Sequence, residues 1–359
     1  MTEPGTPGGP AEDAGRRGGP HGSRRRADGR PHGGTVFRPA WWLPGPHAQT
    51  LGARVLRRRS GVPFARERIA TPDGDFLDLD WVGGTGGTPE DAPLVVILHG
   101  LEGSARSGYA IELYRQLALK GLAAVGLNFR SCSGELNRAP RLYHSGETGD
   151  LGFVLGVLGR RFPGRSLAAA GFSLGGNVLV KHLGEEAGRT PLRAAAAISV
   201  PYDLAAGADH LESGLGRLYV RALLRSLRAK VRARAADLGD RIDLARALAA
   251  RTFREFDDAA TAPLHGFADA DDYYRRSSSG PLLGRVRVPT LLVQSLDDPF
   301  LPAAAVPRAA ITQNPALIDG VVPHGGHVGF ASGPAPLRPA FWAERAVATY
   351  LDRELDHRR

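Results

Sequence analysis

From residue 93 onward, apolar and polar positions switch between two periods. Leu94–Leu98 is a continuous apolar run ending at His99-Gly100, as expected of a strand buried on both faces. Over residues 105–120, Ile111, Tyr114, Leu117 and Leu119 follow helical spacing, and Gly121 supplies a stop. The same alternation predicts strand 122–127, helix 148–161, strand 167–171, helix 174–187 and strand 194–200. After a long interruption it resumes with strand 290–295, helix 303–310, strand 317–322 and helix 338–354. Strands alternating with helices of this length imply an α/β fold, a mostly parallel central sheet flanked by helices on both faces. Segments 66–70 and 75–81, on either side of Pro72-Asp73-Gly74, read as an antiparallel hairpin leading into that sheet.

The interruption, about residues 201–286, is mostly helical in pattern and too long for a connection. It is expected to form a helical cap inserted over the C-terminal ends of the strands, where open α/β sheets bind ligands. Residues 1–34 are dominated by Gly, Pro and Arg without periodicity, which predicts a disordered tail. A single domain over residues 35–359, carrying the cap, is the expected organisation, with no internal repeat.

Charge changes this picture less than its size suggests. The chain of 359 residues carries a formal charge of +9, which invites a nucleic-acid partner. The surplus sits in two places. Residues 1–34 hold six arginines against four acids, and residues 214–251 hold nine arginines and one lysine against three aspartates. With the rest of the chain near neutral, no nucleic-acid partner is expected. The stripe Arg217, Arg221, Arg225, Arg228 and Arg232, with Tyr219, Leu223, Leu227 and Val231 elsewhere on the helix, reads first as a solvated face of a cap helix. Weak peripheral contact with an anionic membrane is the alternative. No apolar run reaches the roughly 18 residues of a spanning helix, and no apolar run follows the arginines near the N-terminus as it would in a signal peptide. The single cysteine, Cys132, excludes an internal disulfide and reads as structural rather than reactive. A cytoplasmic location is expected.

The chemistry begins at Gly171-Phe172-Ser173-Leu174-Gly175-Gly176-Asn177. It follows an apolar strand and opens a helix, the strand–turn–helix setting of a nucleophile elbow. Ser173 is the expected nucleophile. His99-Gly100-Leu101-Glu102-Gly103 ends an earlier strand, and in such a fold that loop offers the second oxyanion donor. The backbone N–H groups of Leu101 and Leu174 are therefore the expected oxyanion pair, with His99 as a structural imidazole holding the loop. The acid should follow the serine and the base should come last. After strand 290–295 stand Asp297 and Asp298. Pro299 holds Asp298 extended, so Asp298 is taken as the acid and Asp297 as a loop or capping residue. His324 and His327 follow the last strand, and Gly325-Gly326 gives His327 the freedom to reach the serine. His327 is the expected base and His324 a loop residue bonded to a carbonyl. No metal is expected, since no carboxylate or cysteine lies at ligand spacing from that histidine pair, and no cofactor is expected.

These residues resemble the YheT-like branch of the α/β-hydrolases, relatives of eukaryotic α/β-hydrolase-domain lipases and yeast ethyl-ester synthases. The resemblance spans about residues 37–350. It is carried by Phe37-Arg-Pro-Ala-Trp-Trp-Leu, Pro46-His47-Ala48-Gln49-Thr50, Asn128-Phe129-Arg130-Ser131-Cys132-Ser133-Gly134-Glu135 and Tyr143-His144-Ser145-Gly146. The elbow, Arg254-Glu255-Phe256-Asp257-Asp258, Asp272-Tyr273-Tyr274, Asp297-Asp298-Pro299-Phe300 and Gly325-Gly326-His327-Val328-Gly329-Phe330 complete it. One departure is Ser131, where the family usually has glycine. The resemblance implies hydrolysis of short- to medium-chain acyl esters or acylglycerols, with the position of Asp298 as triad acid. Some relatives pass the acyl group to an alcohol, so an acyltransferase on the same residues is a competing expectation. A non-catalytic binder of membrane or nucleic acid is a third, weakened by the presence of serine, acid and base together. The partner expected is a small-molecule ester or lipid. Oligomeric state is not legible.

Overall fold

In a computed structural model, the described residues are Met1, 36–57, 61–83 and 91–355. The expected tail at 2–34 lies outside them. Eight strands form one sheet: β1 (Phe64–Ala70), β2 (Phe76–Val82), β3 (Leu94–Leu98), β4 (Ala123–Asn128), β5 (Leu167–Phe172), β6 (Leu192–Ile198), β7 (Thr290–Ser295) and β8 (Leu317–Val322). Their order is β1-β2-β4-β3-β5-β6-β7-β8. The β1–β2 and β2–β4 pairs are antiparallel, and all later pairs are parallel.

Continuous apolar runs make sense only in such a sheet, because successive side chains leave opposite faces. Leu94, Val96 and Leu98 of β3 enter one core, and Val95 and Ile97 enter the other. Helices α3 (Thr148–Arg161) and α4 (Leu174–Glu186) cover the first core through Leu151, Val154, Val178 and Leu179. Helix α2 (Gly108–Ala118) and the C-terminal helix Trp342–Glu354 cover the second.

Between β6 and β7 the chain is helical, from α5 (Leu204–Leu211) and α6 (Gly216–Ala233) through shorter helices to Arg285. These helices touch the loops that leave the C-terminal ends of the strands. Arg234 donates to the carbonyls of Asn137, Arg138 and Ala139 after β4. Tyr219 of α6 packs on Phe300 after β7, with ring centroids 4.8 Å apart.

Three expectations are corrected. The helix expected at 303–310 is a short 3-10 turn, Ala303–Ala305, followed by a helix at Arg308–Gln313. Pro307 forces the break, since it disfavours helical backbone at Val306, which is extended with ψ 115°. The last helix begins at Trp342 rather than 338, because Ala340–Phe341 pairs as a short strand with Ala331–Ser332. Helix α1 (Gly45–Leu56) is additional to the expected elements.

The loop after β4 is pinned by a buried guanidinium. Arg130 donates to both oxygens of Asp150 at 2.8 and 2.7 Å, to Asp75 at 2.8 Å and to Asp73 at 2.9 Å. Ser131 has φ 62°, the left-handed region that glycine occupies most easily. Its hydroxyl accepts the Asn137 N–H at 3.0 Å and donates to the Asn137 Oδ1, which offsets part of the cost of that conformation.

Candidate active site

Ser173 sits between β5 and α4 at φ 52°, ψ −121°. Such a conformation costs a non-glycine residue on the order of 1–3 kcal/mol and persists only where its surroundings enforce it. Here they do. The Ser173 N–H donates to the Ile198 carbonyl at 2.8 Å. A Cβ at Gly171 would lie 2.4 Å from the Gly175 carbonyl oxygen, and one at Gly175 would lie 2.5 Å from that of His99. Both glycines are therefore required by close backbone approach at the elbow.

The Ser173 hydroxyl lies 2.9 Å from His327 Nε2. On the far side of the ring, His327 Nδ1 lies 2.9 and 3.1 Å from the two oxygens of Asp298. With a carboxylate at Nδ1, that nitrogen carries the proton, and Nε2 accepts from the serine. The Asp298 side chain is fully buried. It also accepts from Gln294 Nε2 at 3.1 Å and from the Phe300 N–H at 2.8 Å.

Asp297 faces elsewhere. Its carboxylate accepts the Gly326 N–H at 2.9 Å and lies 3.2 Å from His324 Nδ1. It caps the loop, as expected, but His324 pairs with this carboxylate and not with a carbonyl. The two successive aspartates therefore each meet a different histidine.

The loop holding His327 is backed by α1. Thr50 Oγ1 accepts the His327 N–H at 2.9 Å. A Cβ at Gly326, whose φ is 62°, would lie 2.5 Å from the Pro46 carbonyl oxygen. Sequence reasoning missed this supporting role. The polar residues of Pro46-His47-Ala48-Gln49-Thr50, inside an otherwise apolar segment, were the available signal.

Across the serine stands the His99–Gly103 loop. A Cβ at Gly100 would lie 3.2 Å from Ser173 Cβ. His99 Nδ1–H donates to the Gly100 carbonyl at 2.8 Å, and Nε2 accepts the Phe129 N–H at 3.1 Å. Complete burial pulls the imidazole down to about 4, so it is neutral. The Gly103 N–H also donates to the Gly100 carbonyl, at 3.0 Å. In a trans peptide the N–H points opposite to the carbonyl, so these two bonds turn the Leu101 N–H away from His99. The amides on either side are engaged, Gly100 N–H by Tyr109 at 2.9 Å and Glu102 N–H by Tyr143 at 2.7 Å. Among the described residues no acceptor takes the Leu101 N–H. The Leu174 N–H, first in α4, has no partner within its helix.

A cleft of about 360 Å³ opens beside Asp298, between Pro46 and His47 of α1, Leu215 and Gly216 at the start of α6, and Leu301. His47 Nδ1 lies 2.9 Å from the Tyr219 hydroxyl, tying α1 to α6.

His144, Glu147 and His265 gather away from this centre, with potential ligand atoms within 4.8 Å of one another. Their surroundings suit neutral imidazoles. Arg141 is bonded to Glu147. Burial, then Arg141 and Lys181, hold His144 down to about 3, and burial with His144, Arg141 and Arg130 holds His265 down to about 2. Tyr273 and Tyr274 are packing residues, bonded to Ser145 and Asp257. Cys132 is half-buried, its thiol raised to about 11, chiefly by desolvation.

A strand–serine–helix elbow on a mostly parallel sheet, facing a histidine and a buried aspartate from later loops, defines a class of fold. Residues 93–334 match the model of the alpha/beta hydrolase fold family. The Escherichia coli (strain K12) protein named "Putative esterase YheT" is 41% identical over 312 residues, covering 86% of this chain and 91% of that protein. Human "Phospholipase ABHD3" is 30% identical over 327 residues, covering 90% and 80%. The Pyrococcus furiosus esterase Pf2001 superposes with a TM-score of 0.50 at 14% identity, over 82% of this chain and 92% of that one, a likeness of fold. The chain belongs to the α/β-hydrolase fold family, within its YheT-like branch.

Proposed function

We propose that this protein is a serine carboxylic-ester hydrolase acting on short- to medium-chain acyl esters or acylglycerols. The observation that carries the proposal is the unbroken run of hydrogen bonds from Asp298 through His327 to Ser173, at 2.9 Å on each side of the imidazole. Named relatives that include an esterase and a phospholipase support the reaction class.

His327 Nε2 takes the Ser173 proton as the oxygen attacks the ester carbonyl. The Leu101 and Leu174 N–H groups stabilise the tetrahedral oxyanion. Two such donors matter, since losing one costs roughly 10²–10³ in rate. Collapse expels the alcohol, which takes the proton from His327, and leaves an acyl-enzyme. Water, deprotonated by the same imidazole, attacks the acyl carbonyl; the C–O bond to Ser173 breaks, its oxygen takes the proton back from His327, and the acid is released. Asp298 keeps the Nδ1–H tautomer and stabilises the imidazolium between steps.

The helices between β6 and β7 serve as a cap in this proposal, on one hydrolase domain over residues 35–359. Among the described residues no helix is long and apolar enough to cross a membrane, and a cytoplasmic location is part of the same proposal. The exposed Arg221, Arg225 and Arg232 of α6, with Leu215 and Leu218 exposed near its start, suit weak contact with an anionic lipid surface. Co-sedimentation with anionic but not zwitterionic vesicles, lost in R221E/R225E, checks that contact; equal binding to both would refute it.

An ester panel graded by acyl length, run on wild type and Ser173→Ala, tests the function. Hydrolysis peaking at short or medium chains and absent from the variant is expected. Full activity in the variant, or no hydrolysis by wild type at any length, would overturn it.

A further inference from the structure

Glu102 is one residue beyond the Leu101 amide and has a left-handed backbone, φ 54°. A glutamate does not hold that conformation unaided. Tyr143 grips it twice, accepting its N–H at 2.7 Å and donating to its Oε1 at 2.7 Å. The remaining grip comes from α6. Lys230 Nζ donates to Glu102 Oε1 at 2.7 Å, and the Ser226 hydroxyl donates to Oε2. Side chains of Lys230 and Glu102 are 15% and 5% exposed, so the pair is nearly out of water. The ammonium is itself fixed, donating to Cys132 Sγ at 3.2 Å and lying 5.1 Å from the Tyr143 ring centroid.

We propose that Lys230, assisted by Ser226, is a positioning residue that holds the oxyanion loop in register with Ser173 through Glu102. The inference rests on the ester-hydrolase proposal and adds a coupling between cap and catalytic centre. If α6 shifts, the buried Glu102 carboxylate loses its counter-cation, a penalty large enough to force the loop to move with it. Near its other end the same helix places Tyr219 on Phe300, whose ring lies on His327. One cap helix thereby braces both the donor loop and the base. The oxyanion exists only after attack, so a misplaced donor weakens the transition state and spares ground-state binding. The signature is a fall in kcat with KM little changed.

The experiment compares Lys230→Met and Glu102→Gln with wild type on p-nitrophenyl butyrate. Rates are expressed per active site titrated with a fluorophosphonate, and the inhibition constant of an alkyl boronic acid is measured as a tetrahedral mimic. The expected result is a kcat lower by about tenfold or more, since only part of one donor's contribution is lost. Boronate affinity should weaken by a similar factor while KM stays within about twofold. The double variant should be no worse than Lys230→Met alone, because both changes break one link. Glu102→Gln keeps the shape of the side chain and carries the test if Lys230→Met does not fold. Variants that lose only melting temperature, with wild-type kcat per titrated site and wild-type boronate affinity, would overturn the positioning role. A wild type that neither reacts with the fluorophosphonate nor hydrolyses the ester would instead overturn the ester-hydrolase proposal itself, and the coupling with it.

Discussion

The ring of Phe300 lies flat on the imidazole of His327, with centroids 4.1 Å apart and planes 16° apart. Its own backbone N–H holds Asp298 at 2.8 Å, so one residue contacts both the imidazole and the carboxylate beside it. Phe300→Ala removes the ring and keeps the N–H. The expected result is a loss in kcat of about tenfold, from a less confined imidazole, with Phe300→Tyr retaining most of the activity. Steady-state kinetics on a soluble ester check this, and an unchanged kcat in Phe300→Ala would refute the bracing role.

Asp298 and Asp297 invite a direct comparison, since each meets a different histidine. Asp298→Asn should lower kcat by about 10³–10⁴, the scale seen when a triad's acid no longer fixes the tautomer. Asp297→Asn should stay within about tenfold of wild type, because Asp297 caps the loop and pairs with the exposed His324. Reversed magnitudes would move the acid to Asp297.

Acid sensitivity is expected from buried neutral histidines. His99, His144 and His265 are held down to about 4, 3 and 2, in each case chiefly by burial. The unfolded chain binds protons on all three below about pH 6.5 while the folded chain does not, so stability is full above that pH and falls as pH drops. Asp257 acts the other way. Burial raises it to about 6, so its proton favours the folded state between about pH 6 and 4 and offsets one histidine. The net loss should reach at most about 3 kcal/mol per pH unit in that window. Urea unfolding at pH 7, 6 and 5 measures it, and His265→Gln should reduce the slope by up to about 1.4 kcal/mol per unit. A stability flat from pH 7 to 5 would contradict this.

Much of the sheet was legible because central strands such as β3 and β5 are continuous apolar runs, buried on both faces. One element that sequence reading missed is fixed by a distant partner. Helix α1 begins at Gly45 after a proline and carries a buried Gln49, whose amide meets Ala331 from the other end of the chain. No local pattern announces such a contact. The segment 303–310 carries helix-forming alanines, and Pro307 overrides them. At the site, chain order and spacing led to Ser173, Asp298 and His327 as candidates, but the contacts of Phe300 and Lys230 were invisible. Each acts across more than a hundred residues or through a stacked ring. The role of Glu102 was hidden for the same reason, since its partners Ser226 and Lys230 lie on α6.

The most direct test of the central claim is covalent labelling at Ser173. Protein treated with a fluorophosphonate is measured by intact mass, digested, and the modified residue located by tandem mass spectrometry. One adduct per chain on Ser173, absent in Ser173→Ala and much slowed in His327→Ala, is the predicted result. An adduct elsewhere, or one that persists in Ser173→Ala, would contradict a Ser173 nucleophile activated by His327.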